Sequence, residues 1–337
     1  MNTKILNQIA NQMVSDSKGI LAIDESHGTC KKRFEALNIP VNEENRRSYR
    51  DMLVSANSLS NYISGAILFD ETIRQKTSDG STFPDYLNKI GIIPGIKVDA
   101  GAKPFSCHDG EKITEGLDNL PQRMEEYKLM GAKFAKWRAV ITIGDNIPSS
   151  ACMIANSHAL ARYASICQDI DIVPIVEPEV LMDGAHDIHK CFNVTNIMQS
   201  ILFEELDKLN VINSGIILKP NMITSGANCE VQSEVEEIAE LTVKCLANNV
   251  PKDVPGIAFL SGGQSDEDAS HNLSYINRIN NNPWKITFSY GRALQLEAMK
   301  KWKGNNNNNI EAQKIIEKRS YLNSLAASGK YELNMEN

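Results

Sequence analysis

Charged side chains stand at the carboxyl ends of several short apolar runs, a position where a buried strand rarely carries one. Because side chains alternate across a strand, two residues of equal parity share one face. Exposure to solvent explains any single charge of this kind, but the same arrangement on five runs predicts a shared polar site. The residues are Asp24 with Ser26, Lys97 with Asp99, Lys136 with Arg138, Glu177 with Glu179, and Lys219.

This set of charges favours imine chemistry. A lysine is nucleophilic only when it is deprotonated, and removal from water beside a second cation favours that form. Lys219 follows the apolar residues 216–218, and Lys136 can supply the neighbouring charge. The carboxylates can move the protons of imine formation and of carbon–carbon bond cleavage. Since a protonated imine accepts electrons, we expect neither a metal nor an organic cofactor.

Two glycine-containing stretches predict a site for an anion. They are SGGQS at residues 261–265 and SYGR at residues 289–292, and each follows an apolar run. Glycines let backbone N–H groups approach an anion, and the forked guanidinium of Arg292 can bind it through two hydrogen bonds. A simple turn is the alternative for the first stretch. The position favours phosphate, because the loops after the last two strands of a (β/α)8 barrel frequently hold one.

The apolar runs predict the elements that position these residues. Segments of helical period lie between them, and strands that alternate with helices indicate a parallel sheet. Eight such units favour a closed (β/α)8 barrel; the alternative is an open doubly wound sheet, which the lack of a Gly-x-Gly-x-x-Gly after the first run disfavours. The strand runs are residues 19–23, 63–69, 92–98, 132–140, 172–176, 215–218, 256–260 and 286–288, and the helical segments are 120–130, 158–167, 194–209, 235–246 and 266–279.

The composition is that of a folded α/β protein. The 337 residues are 42% hydrophobic and 23% charged with a net charge of −7, which excludes wholesale disorder and disfavours binding to nucleic acid. No linker divides the chain, so we expect one domain over residues 1–337, with an N-terminal helix at about 2–16 and a C-terminal helix and tail at about 311–337. The lack of a long apolar run speaks against a membrane partner, and seven scattered cysteines indicate a reducing cytoplasm.

Seven stretches of the sequence resemble the class I, Schiff-base fructose-bisphosphate aldolases, and the likeness runs from about residue 5 to residue 331. It implies a single (β/α)8 barrel. The implied activity is the reversible cleavage of fructose 1,6-bisphosphate to dihydroxyacetone phosphate and glyceraldehyde 3-phosphate, in glycolysis and gluconeogenesis. The stretches are GILAIDES (19–26), EENRR (43–47), FAKWR (134–138), IVPIVEPE (172–179), LKPNM (218–222), FLSGGQS (259–265) and TFSYGRAL (287–294).

The resemblance also implies a role for each matching residue. Lys219 would form the Schiff base with C2 of the ketose, Glu177 would be its acid and base, and Asp24 would take the proton of the C4 hydroxyl. Lys136 would support the charge changes near the imine, and Glu179 would orient Lys219. The C1 phosphate would be held by Arg292, Ser261, Gly262, Ser289 and Gly291, and the path to the C6 phosphate would be lined by Ser26, Thr29, Lys32, Arg33, Lys97 and Arg138.

Two positions depart from the animal-type members of that family. Thr29 stands where the family often has serine, a change that keeps the hydroxyl. Six residues follow Tyr331, where those members carry a long tail that ends in a functional tyrosine. We therefore expect a short, frayed terminus that does not close over the barrel, and activity on fructose 1-phosphate stays open.

The resemblance implies sugar phosphates as ligands and a homotetramer, and members of the family bind cytoskeletal proteins. One alternative is a Schiff-base aldolase for another ketose phosphate, such as tagatose bisphosphate, and a second is a non-catalytic scaffold on the same fold. A third is a metal-dependent aldolase. The lack of a convincing histidine cluster speaks against it: His186, His189 and Cys191 alone have metal-like spacing, and the adjacent Asp183-Gly184 turn favours a helix start there.

Overall fold

A closed barrel of eight parallel strands forms the centre of the computed structural model, which describes residues 1–337. Ten strands occur in chain order: β1 (Gly19–Ala22), β2 (Ile63–Leu68), β3 (Ile93–Lys97), β4 (Ala102–Pro104), β5 (Lys112–Thr114), β6 (Phe134–Ile141), β7 (Val173–Val180), β8 (Ile217–Leu218), β9 (Gly256–Phe259) and β10 (Lys285–Tyr290). β4 and β5 form a separate antiparallel hairpin. The other eight are neighbours in chain order, and β10 closes the barrel on β1.

Twelve α-helices accompany the strands, and most of them cover the outside of the barrel. They are α1 (Thr3–Met13), α2 (His27–Ala36), α3 (Glu43–Val54), α4 (Asp70–Ile73), α5 (Phe83–Lys89), α6 (Leu120–Leu129), α7 (Ser150–Asp169), α8 (Ile188–Lys208), α9 (Val235–Asn249), α10 (Asp266–Ile279), α11 (Arg292–Trp302) and α12 (Asn309–Ala327). None of them combines the length and the apolar character that a membrane crossing requires.

The (β/α)8 barrel expected from the apolar runs is confirmed. Each of the eight runs overlaps a barrel strand, and each segment of helical period overlaps a helix. Helices α2, α3, α4, α5 and α11 and the β4–β5 hairpin were not expected from the pattern.

The barrel interior is filled by its own small apolar cluster. Side chains of alternate strand residues point inward, and the ring of Phe134 occupies the space beside β3. A Cβ atom at Gly95 would lie 2.2 Å from that ring, so only glycine fits opposite it. The inward-pointing members are Ile20, Ala22, Ile67, Phe134, Val173, Ile175, Ile217 and Ala258. A larger cluster packs the strands against the outer helices.

Helix α1 closes the amino-terminal end of the barrel. Its buried residues Leu6, Ala10 and Met13, followed by Val14, belong to the interior cluster rather than to the outer one. Val14 packs on the first residue of β9, where a Cβ atom at Gly256 would lie only 2.6 Å from it. The interior is therefore sealed at this end and opens at the carboxyl ends of the strands.

The inward parity of the strands decides which side chains reach that open end. Two residues beyond an inward apolar residue, the side chain again points inward, now at the mouth of the barrel. A charged side chain therefore lies directly above the apolar interior cluster on each of four strands. The pairs are Ala22 and Asp24, Phe134 and Lys136, Ile175 and Glu177, and Ile217 and Lys219.

The carboxyl-terminal segment is ordered and hydrogen-bonded to buried residues, so the expectation of a frayed terminus is wrong. Residues Leu333–Glu336 form a short 3-10 turn against the outer helices. The Tyr331 ring is fully buried, and its hydroxyl donates to the Glu336 carboxylate at 2.8 Å. Arg319 of α12 also donates to that carboxylate. The buried side chains of Tyr331 and Arg319 thus hold Glu336 in place, although the polar composition of the segment is typical of a disordered terminus.

Candidate active site

A single cavity of about 590 Å³ lies at the carboxyl ends of the barrel strands. All sixteen site residues expected from the sequence line it. Six further residues complete the lining: Glu25, Asp99, Gly101, Ala102, Val140 and Leu260. Seven cationic and five anionic side chains face this space in a chain whose net charge is −7. The excess of positive charge is local to the cavity, which suits an anionic ligand.

Two lysines and two carboxylates form a continuous chain of contacts across the cavity floor. Lys219 Nζ lies 3.1 Å from Glu177 Oε1, and the other oxygen of that carboxylate lies 3.2 Å from Lys136 Nζ. Lys136 Nζ also lies 2.7 Å from Asp24 Oδ2. All four side chains are buried. The four charged groups therefore form one buried network of ion pairs.

The charges of this chain hold one another ionised. Burial raises the pKa of Asp24, but Lys136 and Lys219 lower it by more, to a net value of about 2. Burial likewise raises the pKa of Glu177, and the same two lysines bring it below its ordinary value. Burial lowers the pKa of Lys136, yet Asp24 and Glu177 raise it above its usual range. At neutral pH these three groups carry their full charges.

The lowered pKa of Asp24 predicts a loss of stability in acid. Its folded pKa of about 2 is below its ordinary 3.8, so the unfolded chain binds more protons between these values. The contribution, about 2 kcal/mol of unfolding free energy, is complete above about pH 4 and is lost as the pH falls to about 2. Urea unfolding from pH 5 to pH 2 should show this slope, and Asp24→Asn should reduce it. Equal slopes in the two proteins would contradict the prediction.

Two further ion pairs flank the floor. Lys97 Nζ lies 2.8 Å from Asp99 Oδ1, and the Arg138 guanidinium pairs with the Glu179 carboxylate. The register of β6 and β7 sets Val140 opposite Glu179, so the long Arg138 side chain reaches it from two residues away. The structure thus places Glu179 on Arg138, whereas the carboxylate in contact with Lys219 is that of Glu177.

A tight turn and a helix end form one wall of the cavity. Gly262 and Gly263 have φ values of +61° and +98°, a conformation that strains other residues, and Gln264 N–H donates to Ser261 O at 3.0 Å. A Cβ atom at Gly263 would lie 3.5 Å from the Arg292 guanidinium, so the turn and that arginine are close neighbours.

The end of β10 leaves hydrogen-bond donors facing the same wall. Ser289 Oγ is buried and has no partner within the chain. Gly291, which precedes α11, has no side chain to cap this helix; Leu294 N–H donates to Gly291 O at 3.1 Å, and no side chain accepts from the first-turn N–H groups. Arg292 has no acidic partner within 4 Å. A phosphate would satisfy all of these donors at once.

Helix α2 forms the opposite rim of the cavity entrance. Ser26 caps it by accepting the Thr29 N–H at 3.3 Å. Arg33 pairs with Glu25 at 2.5 Å, whereas Lys32 is exposed and has no acidic partner. The sequence did not predict that Glu25 lines the cavity or that Asp99 pairs with Lys97. Glu25 lies beyond the end of β1 with the opposite parity to Asp24, and its carboxylate pairs with Arg33 of α2.

The histidine cluster lies at the beginning of a helix, as its flanking turn indicated. Asp187 caps α8 by accepting the Lys190 N–H at 2.7 Å. His189 is exposed, and its nearest acidic group is Glu237 at 3.9 Å. No three His, Cys, Asp or Glu side chains anywhere in the chain are grouped closely enough to bind a metal ion.

Comparison with known protein families shows which family has this sequence and fold. The model of the class I fructose-bisphosphate aldolase family matches residues 5–337. The chain belongs to this family. The resemblance carried by the seven sequence stretches is therefore confirmed, and the family's activity is that of this aldolase: cleavage of fructose 1,6-bisphosphate, a glycolytic lyase reaction that proceeds through a Schiff base.

Individual relatives support the assignment over the whole chain. The aldolase is 54% identical to the probable fructose-bisphosphate aldolase class 1 of Xanthomonas axonopodis pv. citri, over 98% of this chain and 100% of that protein. It is 47% identical to fructose-bisphosphate aldolase 1 of Toxoplasma gondii, over 97% and 91% of the two chains. The aldolase of Plasmodium falciparum, solved with TRAP and a small molecule inhibitor, superposes with a TM-score of 0.96 at 45% identity, over 98% and 96%.

Proposed function

We propose that Lys219 is the Schiff-base lysine of this aldolase and that Glu177, Lys136 and Asp24 move the protons of the reaction. The observation that carries the proposal is the buried chain of contacts from Lys219 through Glu177 and Lys136 to Asp24. Lys219 Nζ would attack C2 of the open-chain ketose. Glu177, 3.1 Å away, would take the amine proton and then protonate the C2 oxygen as it leaves as water.

The same chain accounts for the cleavage step. The protonated imine draws the electrons of the C3–C4 bond toward nitrogen and becomes an enamine. Asp24 takes the proton of the C4 hydroxyl, and the C4 fragment leaves as the aldehyde glyceraldehyde 3-phosphate. Lys136 Nζ lies within 3.2 Å of both Asp24 and Glu177, so it can pass a proton from the C4 side to the imine side. Protonation of the enamine at C3 and hydrolysis of the imine then release dihydroxyacetone phosphate.

The two phosphates of the substrate fit two different parts of the cavity wall. The turn of Ser261 and Gly262, with Ser289, Gly291 and Arg292, supplies unpaired donors for the C1 phosphate. Ser26, Thr29, Lys32, Arg33, Lys97 and Arg138 form the cationic wall toward the C6 phosphate. Lys32 and Arg292 are the two cavity cations without an acidic partner within 4 Å, one in each part.

Trapping tests the proposed nucleophile directly. Borohydride added with dihydroxyacetone phosphate should reduce the imine and leave one covalent adduct, which peptide mass spectrometry should locate on Lys219. An adduct on another lysine, or none, would refute the assignment. Insensitivity of the activity to a chelator separates this mechanism from that of a metal-dependent aldolase.

Replacing Arg292 with alanine should weaken the binding of the C1 phosphate. A hydrogen bond from a charged donor contributes roughly 1.5–3 kcal/mol, so kcat/KM for fructose 1,6-bisphosphate should fall at least about tenfold. Lys300→Ala is the matched control, because it removes one charge from the same helix at an exposed position bonded to Glu297. Steady-state cleavage assays on both variants would measure the difference, and an unchanged kcat/KM in Arg292→Ala would contradict the role.

We also propose a homotetramer in the cytoplasm, as the family resemblance suggests. The adjacent helices α7 and α8 expose Ile154 and Ile197, apolar side chains that a subunit contact would cover. Analytical ultracentrifugation tests the assembly.

Residues 1–337 would form one domain, because α1 fills the barrel and α12 packs on α3 and β10. A single calorimetric unfolding transition is the expected result.

A protein partner is a further part of the proposal. The Plasmodium falciparum aldolase was solved in complex with TRAP. The family resemblance also implies binding to cytoskeletal proteins. We propose that this chain also binds a cytoskeletal protein outside its catalytic cycle. Cosedimentation with actin filaments, with and without fructose 1,6-bisphosphate, tests this.

A further inference from the structure

The chain that follows Lys219 is buried but belongs to no strand. β8 has only two residues, the fewest of any barrel strand, and residues 219–226 continue inside the protein without regular structure. Buried backbone N–H and C=O groups must find hydrogen-bond partners even where no sheet supplies them. The partners in this segment therefore decide how firmly the lysine is held.

The ladder between β7 and β8 stops at Lys219 for a chemical reason. Lys219 N–H donates to Val176 O at 2.8 Å, which is the last regular bond between these strands. In a parallel ladder the next bond would need an N–H from residue 178, and this residue is a proline. Beyond Lys219, the backbone cannot follow β7 by sheet pairing alone.

The side chain of Asn221 continues the ladder in place of the backbone. Val180 N–H donates to Asn221 Oδ1 at 3.0 Å, so the amide occupies the next position on β7. Asn221 Nδ2 donates to Thr195 Oγ1 of α8 at 3.2 Å and to Met222 O at 3.0 Å. Both ends of the amide are used in a buried site, a pattern that neither aspartate nor leucine reproduces.

We propose that Asn221 is a positioning residue for Schiff-base formation. Its amide holds the backbone of Lys219 against β7, the strand that carries Glu177, and thereby keeps Lys219 Nζ beside the Glu177 carboxylate. This inference rests on the proposed role of Lys219. Neither Asn221 nor any of its hydrogen-bond partners lines the cavity, so its loss affects the chemical step and leaves substrate binding in place.

Asn221→Ala should lower kcat about 10- to 100-fold, the cost of a misplaced reacting group, and change KM by less than about twofold. The rate of borohydride trapping with dihydroxyacetone phosphate should fall by the same factor as kcat. Thr242→Val is the matched control. It removes another buried acceptor from this segment, the partner of Ile223 N–H at 2.9 Å, without touching β7. Its trapping rate should stay within about twofold of the wild-type rate.

A second variant keeps the test decisive if Asn221→Ala does not fold. Thr195→Val removes one acceptor of the amide but leaves the bond to Val180, so it should slow trapping by a smaller factor. Wild-type trapping rates in every Asn221 and Thr195 variant that folds would overturn the inference, and so would an equal loss in Thr242→Val. An adduct on a lysine other than Lys219 in the wild-type protein would refute the proposed nucleophile instead, so the two failures are distinguishable.

Discussion

Replacing Lys219 with alanine is expected to reduce kcat for fructose 1,6-bisphosphate by about 1,000-fold or more, because the covalent route is removed. The variant should give no adduct with borohydride and dihydroxyacetone phosphate. Its fold should persist, since Glu177, the ion-pair partner of Lys219, keeps Lys136 as a partner. Stopped cleavage assays and intact-mass spectra of the trapped protein would measure both effects.

Lys97→Ala provides the matched control for this result. Lys97 lies in the same cavity but pairs with Asp99 and makes no contact with Glu177. The variant should bind the bisphosphate more weakly and still form the adduct on Lys219. Trapping that survives in Lys219→Ala and disappears in Lys97→Ala would contradict the assignment of the nucleophile.

Replacing Glu177 with glutamine is expected to lower kcat by a factor of about 100 to 10,000, the usual contribution of a general acid–base group. Glu177 is the group in contact with both lysines, and their charges outweigh its burial and keep its pKa below the ordinary value. It is therefore a carboxylate when substrate arrives and can accept a proton from the attacking amine. Glutamine keeps the shape of the side chain but cannot accept that proton.

Single-turnover measurements would locate the loss in imine formation. The rate of borohydride trapping should fall in Glu177→Gln together with kcat. Glu179→Gln is the matched control on the same strand, and it should affect trapping much less, because Glu179 pairs with Arg138 and does not contact Lys219. The reverse order of the two effects would assign the proton transfer to Glu179.

The barrel could be predicted from the sequence because its strands are buried on both faces. Such strands appear as short continuous apolar runs that stand out from the helical segments between them. Helix α2 was not predicted because it buries only Cys30 and Phe34, and two apolar residues are too few to show a helical period in the sequence. Helix α3 was not predicted because its buried face includes Arg50 and Asp51, charged residues that a sequence pattern assigns to the surface.

The candidate site was predictable to the extent that strand parity determines it. Asp24, Lys136, Glu177 and Lys219 follow inward apolar residues, so their convergence depends on a local rule. The partner of Glu179 and the contacts of Asn221 depend on the register of neighbouring strands, which pattern alone does not give. Asn221 and Val180 are 41 residues apart in the chain, and an asparagine between Pro220 and Met222 carries no local signal of such a bond.

Because helix α1 closes the amino-terminal end of the barrel, the catalytic cavity opens to solvent only at the carboxyl ends of the strands. Leu6, Ala10, Met13 and Val14 leave no passage at the amino-terminal side. Substrate, both products and the water that hydrolyses the imine must therefore share one doorway. Once the C3–C4 bond breaks, the aldehyde fragment is untethered, whereas the ketone fragment is still attached to the lysine. Departure thus follows a fixed order: the aldehyde leaves, water enters behind it, and the ketone goes last.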